Sequence, residues 1–123
     1  MVFDLTKKKC IPCEAGTPPL PKSKEEELLI EVPEWKLLRR PATHADPIGV
    51  HKLQRKFKFK NFVEAMEFVN KVADLAESEG HHPDIAIVYS RVTLELFTHE
   101  VGGLSENDFI LAAKINQLLA SSN

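Results

Sequence analysis

A change of hydrophobic period in mid-chain constrains the fold more than any other feature of this sequence. Over residues 51–60, Leu53, Arg55, Phe57 and Phe59 fall on one side and Lys52, Gln54, Lys56, Lys58 and Lys60 on the other. Side chains on a strand alternate between faces, so this run predicts a half-buried antiparallel strand with a lysine-rich solvent face. Over residues 62–79 the period becomes helical. Phe62, Ala65, Met66, Val69, Val72, Ala73 and Ala76 form one apolar stripe. Gly80 is well placed to stop that helix, because glycine takes the left-handed backbone of a helix end without a Cβ penalty.

The flanking segments extend the same logic. Residues 85–89 and 92–98 read as the strands of a hairpin with Ser90 and Arg91 at its turn. Val92, Leu94 and Leu96 share one face of the second strand; Thr93, Glu95, Phe97 and His99 share the other. Upstream, Ser23 with Glu26 three residues later predicts a capping box, opening a short helix that runs to about Glu31 and is ended by Pro33. Residues 35–40 read as a strand and residues 41–47 as a turn or loop. Downstream, Gly102 and Gly103 make a turn. Ser105 with Asp108 predicts the cap of a last helix carrying Phe109, Ala112, Ala113, Ile115 and Leu119. The order α-β-β-α-β-β-α implies an α+β fold, an antiparallel four-stranded sheet covered by helices. Residues 1–22, basic at Lys7, Lys8 and Lys9 and rich in proline, read as an irregular arm before one domain over residues 23–123. The sheet leaves two edges, one of which can continue into a partner subunit, so a homo-oligomer is expected.

A net charge of -2 with both signs mixed along the chain gives no general pull toward nucleic acid or anionic membrane. The lysine row is therefore read as a solvated face that also protects an edge. There is no long apolar run and no signal-peptide pattern, so a soluble cytoplasmic protein is the default expectation. Cys10 and Cys13 form a lone CxxC. A structural zinc site needs about four ligands, and the surrounding prolines do not suit the strand-to-helix setting of a redox motif. A structural or incidental role is the reading preferred here.

The chemistry concentrates on three histidines. His81 and His82 follow the central helix, and Pro83 stiffens the backbone beside them. Adjacent residues on an extended chain point apart, so the two imidazoles should do different jobs. If the hairpin pairs symmetrically about Ser90 and Arg91, His99 lies opposite His82, and three imidazoles meet at one open end of the sheet. Histidine titrates near neutral pH, so this set predicts a proton-transfer site. Glu77, one helical turn before the pair, and Asp108, opening the last helix, are the nearby carboxylates. A zinc site is the rival reading, but the helical HExxH arrangement is missing.

The spacing of Glu77, His81-His82-Pro83, Tyr89, His99 and Asp108 resembles the signature of the pterin-4a-carbinolamine dehydratases. The stretch 98–105, Thr-His-Glu-Val-Gly-Gly-Leu-Ser, and the segment Trp35-Lys36-Leu37 are similar to that family too. So is the leader Lys8-Lys9-Cys10-Ile11-Pro12-Cys13-Glu14, which resembles one found in some members. Gly80 departs from the acidic residue that many members carry before the histidine pair.

The resemblance implies loss of water from a 4a-hydroxytetrahydropterin to give a quinonoid dihydropterin, in tetrahydrobiopterin recycling, with no metal or cofactor. It implies His81 and His99 as the acid–base pair and His82 as the third catalytic-site histidine, binding and orienting the pterin. Pro83 would form pocket wall, and the backbone of Thr98, His99, Glu100 and Val101 would contact the ring. Glu77 and Asp108 would set imidazole orientation and tautomer. It also implies an alternative, since some relatives act as dimerisation cofactors of a transcription factor or as Rubisco assembly factors. For such a protein-partner role the arm would be the first place to look.

Overall fold

The computed structural model describes residues 4–12, 16–40, 44 and 50–120. Three helices and four strands follow in the expected α+β order: α1 (Lys22–Leu29), β1 (Lys36–Arg40), β2 (Val50–Lys58), α2 (Phe62–Glu79), β3 (Asp84–Val88), β4 (Arg91–Leu96) and α3 (Glu106–Ala120). Two short 3-10 turns, Leu5–Lys7 and His99–Val101, complete the set. All strand pairs are antiparallel and the sheet order is β1-β2-β4-β3. Apart from His44, the expected loop over residues 41–47 lies outside the described residues, as does Cys13.

The helices cover one face of the sheet. Leu53 and Phe57 of β2 and Val92, Leu94 and Leu96 of β4 are buried against Val72 of α2 and Phe109, Leu111 and Ile115 of α3. The α2 stripe that reaches the core is Ala65, Phe68, Val69, Val72 and Ala76. Phe62, expected on that stripe, is 48% exposed, and Ala73 is exposed as well. Phe68 takes the aromatic position instead, against Phe57 and Phe59. Asn61 caps α2, its side chain accepting from Glu64 N at 2.9 Å. Gly80 ends it at φ +66°.

Two local expectations are corrected. Ser23 is not the cap of α1. Pro21 holds that position, and its carbonyl accepts from Lys24 and Glu25 while Ser23 lies exposed within the helix. The Pro21 ring presets φ at −69°, and α1 opens without a side-chain cap bond. The hairpin turn is Tyr89-Ser90, not Ser90-Arg91: Val88 pairs with Arg91 and Asp84 with Glu95. Tyr89 takes φ +52° and is 67% exposed. The Ser90 carbonyl accepts from Phe59 N at 2.8 Å, so the end of β2 selects the turn. The register differs from the expected one by two residues, which keeps every side chain on its face. Continued outward, this register sets Phe97, not His99, across from His82.

The segment ahead of α1 packs onto the domain. Leu5 and Cys10 are buried in the core cluster, and the Leu5–Lys7 turn lies against α3. Among the described residues no helix is long and apolar enough to cross a membrane.

Candidate active site

The end of α2, the start of α3 and the residues after β4 converge where the histidines lie. Gly80 stops α2, and the His81 amide still donates to the Ala76 carbonyl at 3.2 Å. The histidine pair is therefore held on the last turn of α2 before β3 begins. His81 turns inward and His82 outward, their side chains being 12% and 63% exposed.

Asp108 is fully buried and serves three partners. Its Oδ1 meets His81 Nε2 at 2.6 Å. Its Oδ2 accepts from the Thr98 hydroxyl at 2.8 Å and from Ser105 N at 2.9 Å. The last bond is the carboxylate half of a capping box. The Ser105 hydroxyl instead pairs with the Thr98 hydroxyl at 2.8 Å. A helix-opening carboxylate thus also anchors an imidazole. With Nε2–H donated to Asp108, a neutral His81 carries its lone pair on Nδ1, the nitrogen left for chemistry.

His82 Nε2 meets Glu77 Oε2 at 2.7 Å, five residues back along the chain. Both are exposed, so the pair orients the ring more than it stabilises the fold. His99 is exposed at the start of its 3-10 turn, and its ring centroid lies 4.3 Å from that of Phe97. The chain turns back here: Thr98 N donates to Gly103 O at 2.7 Å, and Gly102 sits at φ +70°. Thr98 and Val101 are buried, Glu100 is exposed and Pro83 is half-buried. The structure therefore joins His81 with Asp108 and Thr98, and His82 with Glu77. It joins His99 with Phe97 and does not set it opposite His82.

Beside His81 is a cleft of about 410 Å³. His81, Thr98 and Glu100 line it together with Cys10, Ile11 and Pro12. No period or motif in the chain places the arm there. Glu79 and Asn107 hold it. Glu79 accepts from Cys10 N at 2.9 Å and from Lys114 Nζ at 2.6 Å. Burial alone would raise the Glu79 carboxyl, but these two bonds and the nearby Lys9 charge outweigh it and keep the carboxyl below its ordinary value. Burial, then the Glu79 charge, pushes the Cys10 thiol up to about 12. Cys10 is therefore a packed thiol near neutral pH, not a nucleophile. Among the described residues no group of three or more His, Cys, Asp or Glu side chains could hold a metal ion.

Residues 18–118 match the profile of the pterin 4 alpha carbinolamine dehydratase family. A Methylococcus capsulatus protein with the provisional name pterin-4-alpha-carbinolamine dehydratase is 48% identical over 118 residues, 96% of each chain. One from Halorhodospira halophila, with the same provisional name, is 43% identical over 94% of this chain and 98% of its own. Among solved structures, a transcriptional coactivator/pterin dehydratase from Brucella melitensis superposes with a TM-score of 0.68 at 31% identity, over 81% of this chain and 97% of that one. A pterin dehydratase-like protein described as a RuBisCO assembly factor of the alpha-carboxysome shares the fold at 23% identity, with a TM-score of 0.56 over 72% of this chain and 93% of that one. With its α+β order, its sheet and this match across most of its length, the chain belongs to the pterin 4 alpha carbinolamine dehydratase family.

Proposed function

We propose that the protein is a hydro-lyase that converts a 4a-hydroxytetrahydropterin to a quinonoid dihydropterin and water, in tetrahydrobiopterin recycling in the cytoplasm. The C4a–O bond breaks, the N5 proton leaves and a C4a=N5 double bond forms. Hydroxide is a poor leaving group, so an acid must protonate it while a base takes the N5 proton. His81 and His99 are the acid–base pair of this proposal. The two protons move at different atoms of one substrate, so the two imidazoles need not touch each other.

The observation that carries the reading is the His81–Asp108 bond. A buried carboxylate with both oxygens engaged fixes the ring and its tautomer and leaves Nδ1 for the substrate. His82, held by Glu77, binds and orients the pterin, with Pro83 as wall and the backbone from Thr98 through His99 and Glu100 to Val101 against the ring. The mechanism calls for no metal or cofactor. The exposed edge strand β3 supports a homo-oligomer, a dimer or a tetramer. It also favours the second reading, a non-catalytic dimerisation or assembly factor for another protein, since an uncovered apolar edge is a docking element.

Stopped-flow dehydration of a synthetic 4a-hydroxytetrahydropterin tests the proposal. Wild type should accelerate water loss, and His81→Ala and His99→Ala should each lower kcat by about 10²-fold or more, the usual range for a general acid or base. No acceleration by folded wild type would sink the enzyme and leave the assembly role.

A further inference from the structure

The cleft beside His81 has a wall from the far end of the sequence. Ile11 and Pro12 stand there, with Ile11 70% exposed. A large apolar side chain left in solvent at the mouth of a cleft is notable because its backbone is so firmly held. Ile11 N donates to Asn107 Oδ1 at 3.0 Å, and Asn107 Nδ2 donates back to the Ile11 carbonyl at 2.6 Å. One amide side chain therefore satisfies both polar groups of the Ile11 backbone. One residue earlier, Cys10 N is held by Glu79 and its thiol donates to the Asn107 carbonyl at 3.6 Å. Two consecutive residues are thus fixed in position while the Ile11 side chain is 70% exposed.

The anchor is also adjacent to the catalytic geometry. Asn107 immediately precedes Asp108 on α3, and Glu79 lies two residues before His81. The groups that hold the arm and those that hold His81 are neighbours on the same two helix ends, so arm and imidazole keep one fixed relation. A pterin reacting at His81 presents its bicyclic body to the lining of this cleft, and the Ile11 side chain adds an apolar surface to that lining.

We propose that residues 10–12 form the wall of the substrate cleft that sets affinity for the ring, with Ile11 in contact with substrate and Asn107 as the positioning residue that presents it. The inference rests on the dehydratase reading and deepens it, by adding a binding determinant that touches neither proton. Its signature is a split between KM and kcat. A residue that binds ground state and transition state alike raises KM when removed and leaves kcat nearly as it was.

The test is steady-state dehydration of 4a-hydroxytetrahydropterin by full-length wild type, Ile11→Ser and Asn107→Ala, with thermal melts alongside. Ile11 is exposed, so Ile11→Ser should melt with wild type. In both variants KM should rise about fivefold, equivalent to about 1 kcal/mol at 1.4 kcal/mol per factor of ten. The His81→Ala variant should instead lose kcat. Unchanged KM in Ile11→Ser and Asn107→Ala, beside an active wild type, overturns the wall while leaving the dehydratase standing. An inactive wild type overturns the dehydratase and the wall with it.

Discussion

Asp108 shows how much one side chain can decide. Its carboxylate is fully buried, opens α3 through Ser105 N, accepts from Thr98 and holds His81. Replacing it by asparagine keeps the shape but puts an amide where two acceptor oxygens stood. At least one of the three donors then meets an N–H, and the tautomer of His81 is no longer set. Asp108→Asn should lower kcat by at least about tenfold, or about 1.4 kcal/mol of barrier, and change the shape of the pH–rate profile. A variant that loses thermal stability but keeps kcat and its pH profile would reduce Asp108 to a helix cap. The identities of these residues were readable as a spacing of acids and imidazoles. Which acid faces which imidazole was not, because Asp108 and His81 are 27 residues apart and meet only where α2 ends against α3.

At the scale of elements, charged groups clamp the layers together. Glu25 of α1 is 1% exposed, with His51 Nδ1 of β2 at 2.8 Å and Arg39 of β1 at 3.3 Å. Arg39 and His51 are direct cross-strand partners, so one carboxylate ties α1 to two strands. Glu79 does the equivalent for the arm, joining Cys10 to Lys114. Its carboxyl is lower in the folded chain than its ordinary 4.5. Its contribution is therefore complete above that pH and is lost as pH falls through the folded value. Glu79→Gln should destabilise the protein at pH 7 by about 1.5–3 kcal/mol, the scale of hydrogen bonds to a charged group. It should also flatten the acid limb of a melting-temperature profile below about pH 4.5. Parallel acid limbs in wild type and variant would show that other carboxylates govern acid unfolding. Neither clamp was legible in advance. A glutamate in a charged helix such as α1 reads as solvated until the sheet beneath it is known.

The sheet has one face covered by helices and two edge strands, β1 and β3. Every residue of β3 is exposed, with Ile85 at 38% and Val88 at 69%. An apolar edge with unpaired backbone groups invites another strand. Val88→Lys should shift sedimentation toward a smaller species, and an unchanged distribution would place any self-association elsewhere. The order of elements is legible in the chain alone, through the change from period two to period 3.6, the stop at Gly80 and the buried alternation of Val92, Leu94 and Leu96. Those signals are local, set by how a backbone displays its side chains. Packing set the hairpin turn, the replacement of Phe62 by Phe68 in the core, the partners of each carboxylate and the place of the arm. The turn at Tyr89-Ser90 is held by Phe59, some thirty residues away, and the arm by Asn107, nearly a hundred residues away. A hydrogen bond between distant segments leaves no period in the chain, so it emerges only when the layers close.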